Sequence, residues 1–202
     1  MAIPGANKIK PSEKGGFIIK EETMLEVITG SMFSGKTEEL IRRLERHSIA
    51  KRRVALIKPD LDTRATKVKT HNGKEFDSII VGNNDTITIE KIILENEVVG
   101  FDEGQFFGEA VYQLLKACEQ SGTNKIIIVC GLDMDSEGKP FGIMPKLMAI
   151  AHDVTKLHAV CENCYGPANI SFSMVEKKEQ ILIGGKNEYE ALCWKCAAKE
   201  RG

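Results

Sequence analysis

The chain has 202 residues, 42% of them hydrophobic, and sets 28 Lys and Arg against 29 Asp and Glu for a net charge of −1. That length holds one full domain with a small appendage, and the near-neutral balance argues against a protein built to coat a polyanion. The longest apolar runs, such as "IIIVCGL" at 126–132, are strand-sized and far short of a membrane span.

Residues 1–22 carry Lys8, Lys10, Lys14 and Lys20 but no apolar stretch of signal-peptide length. They read as a flexible tail outside the fold, and with no export signal the expected compartment is the cytoplasm. The fold is then expected from residue 23. "MLEVIT" at 24–29 reads as a buried strand, and "GSMFSGKT", Gly30 to Thr37, follows it at once. This matches the phosphate-loop pattern G-x-x-x-x-G-K-[ST], whose glycines let main-chain N–H groups curl around phosphate oxygens. Lys36 is expected to reach the β- and γ-phosphates, and the Thr37 hydroxyl to bind magnesium. Leu40, Ile41, Leu44 and Ser48 then repeat at helical spacing.

Further strands are expected at 53–59, 78–81, 97–102 and 125–132, with helices over 87–96 and 109–120 between them. Alternation of this kind implies an α/β fold, a parallel sheet with helices on both faces and a crevice at the carboxyl ends of its strands. At one such end stands "FDEGQFF". Asp102 and Glu103 are adjacent at the mouth of a hydrophobic strand, so on extended backbone they point opposite ways. One can serve the magnesium at the phosphate loop. The other, in the crevice, suggests a base for an acceptor hydroxyl. Phe106 and Phe107 suit the core, although beside an acceptor site either could stack on a flat base.

The character changes near residue 158. Cys161-x-x-Cys164 and Cys193-x-x-Cys196 bracket "NISFSMV" and "QILIGG", which flank "EKKE" and read as a hairpin. Two C-x-x-C pairs in a reducing compartment fit a structural zinc held by four thiolates, which leaves no place for His158. Cys118 and Cys130 sit in apolar patterns and read as core. The domain boundaries expected are 23–158 for the phosphate-loop domain and 159–202 for the zinc-binding one. A glycine-rich stretch, "GGKNEYEALC", could fold over a small polar substrate.

As a set, "GSMFSGKTEELIRR", "LDTR", "FDEGQFF", "GLDMDSEGKPFG", the two cysteine pairs and "GGKNEY" resemble the type II thymidine kinases, from about Met24 to Ala197. The resemblance implies a kinase domain with a small C-terminal zinc-binding β-hairpin, or lasso, over the substrate, commonly in a homotetramer. It implies transfer of the ATP γ-phosphoryl to the 5′-hydroxyl of deoxythymidine with magnesium, and feedback inhibition by dTTP, with no nucleic-acid or membrane partner. By matching motif, Glu103 is the general base, Asp102 serves magnesium and Arg64 supports the phosphates. The ATP site comprises Gly30, Ser31, Met32, Phe33, Ser34, Gly35, Lys36, Thr37, Asp102 and Gln105. Met32, Phe106, Leu132 and Phe141 enclose the thymine, joined from the lasso by Ser171, Ile183, Gly184, Gly185 and Tyr189. The chain departs from the family pattern at Ser136, where an aromatic is usual, at Glu137, and at Ala65, where a tyrosine often follows "DTR".

A reading from another class is an ATPase-driven nucleic-acid module with the zinc hairpin as its binding element. Beyond Lys51–Arg53, the sequence offers it no basic and aromatic stripe.

Overall fold

In the computed structural model of the chain, residues 23–61, 67–69, 75–175 and 188–201 are described. The expected tail 1–22 and the "QILIGG" strand lie outside those residues.

Apolar runs rich in β-branched residues supply five strands of one parallel sheet, and a polar edge strand completes its six. These are β1 (Met24–Gly30), β2 (Val54–Pro59), a short β5 (Ile79–Val81), β6 (Val98–Phe101), β7 (Ile126–Gly131) and β8 (Asp153–Leu157). Between β2 and β5, a small antiparallel pair is formed by β3 (Lys67–Lys69) and β4 (Glu75–Asp77). The order across the sheet is β5-β2-β6-β7-β1-β8. Its centre is dry, with Ile28, Val98, Val99, Ile127 and Ile128 fully buried.

Strand order dictates where the helices go. From β1 the chain crosses leftward to β2 through α1 (Lys36–Ile49), whereas α2 (Thr86–Glu95), α3 (Glu109–Ser121) and α4 (Met144–Ile150) serve the rightward crossings to β6, β7 and β8. Right-handed crossovers in opposite directions put helices on opposite faces. Accordingly Leu40, Ile41 and Leu44 of α1 pack with Ile28, Leu56, Val98 and Ile128 on one face. Ile89 and Ile93 of α2, Val111 and Leu115 of α3, and Leu147 of α4 pack on Val27, Val99 and Ile127 on the other. The α/β architecture expected from the sequence is therefore present, with helices on both faces.

Two elements of this layer, α4 and β8, have no counterpart in the sequence reading. β8 is an edge strand, "DVTKL", with exposed Asp153, Val154 and Lys156, so it carries no apolar alternation to read. Helix α4 is only 7 residues long, too short to establish a period.

Beyond β8 come two small antiparallel pairs, β9 (Ala159–Val160) with β10 (Pro167–Ala168), and β11 (Ile170–Ser173) with β12 (Tyr189–Leu192). After β12 comes the helix α5 (Trp194–Glu200). The described partner of β11 is thus Tyr189–Leu192; the expected partner "QILIGG" lies outside the described residues. This pairing delivers β12 directly into Cys193 and buries Ala191 and Leu192 with Ile170, Ala168, Cys161 and Cys196 in a third core cluster. Phe33 of the phosphate loop and Met134 pack against the same cluster, so the cysteine module and the sheet share an apolar seam.

Candidate active site

The phosphate loop turns sharply out of β1. Gly30 has φ 141° and Gly35, the residue before α1, has φ 82°. Both angles are open only to glycine without strain. Lys36 Nζ donates to the Ser31 carbonyl at 2.8 Å, folding the ammonium back over the loop. Ser34 Oγ is buried without a partner among the described residues, an orphan hydroxyl in the cradle that suits a phosphate oxygen.

Asp102 reaches this loop from β6. Its carboxylate is 4% exposed and accepts from Thr37 Oγ1 at 3.3 Å. The contact depends on Gly100, since a Cβ there would lie 2.8 Å from Leu44 Cδ1. The bare backbone lets α1 lie close on the sheet and brings Thr37 within reach. Burial, then the neighbouring Glu103 charge, lifts the Asp102 carboxyl to about 6, while Lys58 opposes the rise. The buried Cys130 thiol also donates to Asp102, and burial pushes that thiol well above its ordinary range. A carboxylate and a hydroxyl side by side form a hard oxygen donor pair of the kind magnesium takes. The sequence reading gave neither Lys58 nor Cys130 a place at the site. For Lys58 the available signal was a lysine inside an apolar strand, whereas Cys130 has the pattern of ordinary core.

Glu103 does not continue the strand. Its φ of 54° is left-handed, unusual for a residue with a side chain, and it begins the short 3₁₀ turn Gly104–Phe106. The two acids diverge because the backbone turns between them, where strand alternation had been expected. Gln105 Nε2 donates to Glu103 Oε2 at 2.6 Å, and Gln105 Oε1 accepts from the Leu132 N–H at 2.9 Å. Gln105, expected with the ATP residues, thus uses both ends of its amide inside the protein.

The two phenylalanines that follow have separate fates. Phe107 is 3% exposed and packs edge-on against Phe101 in the core. Half-buried Phe106 meets Phe141 edge-on, ring centroids 5.8 Å apart. Of the residues expected around a thymine, Phe106 and Phe141 are thus in contact, and the Leu132 main chain is tied through Gln105 to Glu103. Met32 and Ser171 meet where the phosphate loop touches the cysteine module: the Met32 N–H donates to Ser171 Oγ at 2.9 Å, and Ser31 Oγ to the Ala168 carbonyl at 3.2 Å. Tyr189 is buried in β12 opposite Ser173. Arg64, Ile183, Gly184 and Gly185, like Ala65, lie outside the described residues.

The segment between β7 and α4 is a braced turn. Asp135 Oδ1 accepts from the N–H groups of Glu137 and Lys139, and Arg201 Nη2 donates to the Ser136 carbonyl at 2.6 Å. The Arg201 guanidinium also lies 5.9 Å from the Phe172 ring centre.

The sulfurs of Cys161, Cys164, Cys193 and Cys196 lie within 4.8 Å of one another. Cys164 Sγ and Cys193 Sγ are 3.7 Å apart, close to the roughly 3.8 Å edge of a tetrahedron with metal–sulfur bonds of about 2.3 Å. Burial opposes ionisation of Cys161, yet N–H groups of Cys193, Cys164 and Asn163 draw its thiol down to about 6. Cys193 is lowered chiefly by the Cys196 N–H, which donates to its sulfur at 3.4 Å. The four cysteines fit a structural metal.

A sequence model of the family described as "Thymidine kinase" matches residues 23–197. A Bacteroides thetaiotaomicron protein named thymidine kinase is 44% identical over 181 residues, covering 88% of each chain. One of the same name from Coprothermobacter proteolyticus is 45% identical over 184 residues, 87% of this chain and 91% of its own. Among solved structures, the replication initiator DnaA bound to AMPPCP and single-stranded DNA overlays with a TM-score of 0.43 at 14% identity, over 70% of this chain and 42% of that one, too slight a likeness to argue from. The chain belongs to the thymidine kinase family.

Proposed function

We propose that this protein phosphorylates deoxythymidine, moving the γ-phosphoryl of ATP to the 5′-hydroxyl and releasing dTMP and ADP. The observation that carries the reading is the separation of two adjacent acids, Asp102 bonded to Thr37 of the phosphate loop and Glu103 turned onto the Gln105 amide by its left-handed backbone. Family membership supplies the nucleoside.

Each residue then has a task. Loop N–H groups from Phe33 to Thr37 cradle the phosphates while that of Met32 holds Ser171, and Lys36 leaves the Ser31 carbonyl to reach the β- and γ-oxygens. Thr37 and Asp102 would hold magnesium, which when bound neutralises phosphate charge and orients the γ-group. Glu103 accepts the proton of the 5′-hydroxyl as the oxygen attacks phosphorus, and positioning supplies most of the remaining rate. Met32, Leu132, Phe106 and Phe141 enclose the base, completed by Ser171, Tyr189 and the lasso residues Ile183, Gly184 and Gly185, with Arg64 steadying the phosphates. Cys161, Cys164, Cys193 and Cys196 would hold a zinc that ties down the lasso. On the same reading the enzyme is a cytoplasmic homotetramer restrained by dTTP, with a kinase domain over 23–158 and a lasso domain over 159–202.

The test offers purified protein γ-labelled ATP and magnesium with thymidine, deoxyuridine, deoxycytidine or no nucleoside. Labelled dTMP is the expected product. Label appearing only as free phosphate, whatever nucleoside is present, would overturn the reading in favour of an ATPase.

A further inference from the structure

Three segments meet at one buried residue. Gln105 is 3% exposed in the 3₁₀ turn after β6; its side chain reaches the end of β7, and its main chain lies against Gly142 of the loop carrying Phe141. Its amide spans two groups of different kinds, the Glu103 carboxylate at 2.6 Å and the Leu132 main-chain N–H at 2.9 Å. Room for it is cut into the neighbouring strand, since a Cβ on Gly131 would come 2.6 Å from Gln105 Oε1.

The chemistry of the two partners fixes which way the amide faces. A main-chain N–H can only donate, so the amide oxygen must face Leu132. The NH₂ group must then face Glu103, as a donor held in place by a bond at its other end. A hydrogen bond from a fixed neutral donor to a carboxylate is short and strong. Glu103 needs such a restraint because its backbone is left-handed, and its side chain leaves the sheet from a short turn.

We propose that Gln105 is a positioning residue for the phosphoryl transfer: its amide NH₂ orients the Glu103 carboxylate, and its amide oxygen registers that carboxylate to Leu132 at the base pocket. This rests on Glu103 being the proton acceptor. The link makes the aim of the base depend on the strand end that lines the nucleoside site. A shift of about 1 Å at such a group can cost on the order of 100-fold in rate without loss of binding.

Gln105→Glu separates orientation from support. The new carboxylate can still accept from Leu132 N–H and keep the turn attached to β7, but sets a like charge against Glu103 in place of the neutral donor, so the uncharged Gln105→Met is read beside it. With thymidine and ATP as substrates, kcat should fall roughly 10- to 100-fold while both KM values stay within about twofold. Wild-type kcat in Gln105→Glu overturns the proposal, since a residue that only braces the turn would give that result. Should the buried charge prevent folding, Gln105→Met carries the same test: similar size, both bonds removed, the same fall in kcat expected, and an unchanged kcat overturning it. Glu103→Gln distinguishes the premise from the inference. If Glu103→Gln itself keeps wild-type kcat, the proton-acceptor reading fails and takes the positioning role with it. If Glu103→Gln is crippled but Gln105→Glu and Gln105→Met are not, only the positioning role fails. In the Glu103→Gln background, adding Gln105→Met should leave the residual rate unchanged within about threefold, because residues acting as a unit are not additive. A further loss equal to the single-variant factor would show that Gln105 acts independently of Glu103 and overturn the proposal.

Discussion

The main-chain N–H of Met32 in the phosphate loop donates to the hydroxyl of Ser171 at 2.9 Å, across 139 residues of sequence. With Ser31 bonded to the Ala168 carbonyl and Phe33 packed on the cysteine cluster's core, the loop that should hold ATP is physically part of the module that the four cysteines organise. Metal removal should therefore disturb both. Purified protein is expected to carry one zinc per chain by elemental analysis. Stripping it, or making Cys161→Ser, should lower the melting temperature by several degrees and raise KM for thymidine and ATP together. Unchanged melting after complete removal would contradict a structural metal.

The Asp102–Thr37 contact leads to a different expectation. Asp102→Asn keeps the shape of a buried side chain but removes its charge, so kcat should fall by about 100-fold or more. Thr37→Ser, which preserves the hydroxyl, should stay within a few-fold of wild type. Equal losses in both variants would show that packing at these positions, rather than the oxygen pair, is what matters.

The turn between β7 and α4 is strapped by Arg201, which donates to the Ser136 carbonyl at 2.6 Å and covers Phe172. Arg201→Ala should loosen the segment that ends at Phe141 and raise KM for thymidine roughly three- to tenfold, the worth of about one good hydrogen bond, with KM for ATP unchanged. A matching change in both would place the effect in general stability.

Ser136 holds the position at which the sequence resemblance implies an aromatic. Ser136→Phe should lower KM for thymidine and narrow the range of base analogues accepted, because contact between an aromatic side chain and a base is worth about 1–3 kcal/mol. A steady-state comparison of thymidine with 5-substituted analogues checks it, and an unchanged KM would sink the idea.

Acid sensitivity should arise at α1. A hydrogen bond from Arg42, aided by Arg43, holds the Glu39 carboxyl near 2, below its ordinary 4.5, and Arg43 continues to Glu26 of β1 and Thr155 of β8. A depressed value means stability that is full above about pH 4.5 and is lost as pH falls toward 2. Glu39→Gln should lower the melting temperature at pH 7 by about 2–4 °C, corresponding to roughly 1 kcal/mol for a partly exposed network in a chain of this size. Thermal melts across pH 2–7 should show a shallower decline for the variant.

Much of this was legible in the sequence because the chemistry sits in contiguous motifs on strongly apolar strands. "GSMFSGKT" after β1 and "FDEGQFF" after β6 carry their own context, and parallel strands buried on both faces read as unbroken apolar runs. What escaped was held by main-chain geometry or by contacts distant in sequence. β8 is a polar edge strand with no period to read. β12 pairs with β11 and runs straight into Cys193, a pairing held by the cysteine core that no local alternation announces. Glu103 points as it does because its backbone is left-handed, and Gln105 has the character of a ligand until its amide is seen to span Glu103 and Leu132. Strand alternation could foresee that the two acids part; it could not foresee the turn that parts them.

The most direct test of Glu103 as proton acceptor compares kcat for thymidine phosphorylation in wild type and Glu103→Gln, with KM for ATP measured in both. The substitution keeps size and hydrogen-bonding reach while removing the ability to take a proton. Loss of kcat by about 100-fold or more with KM for ATP unchanged is the result expected of a general base. Retained kcat would contradict it and return Glu103 to the role of a turn residue beside the site.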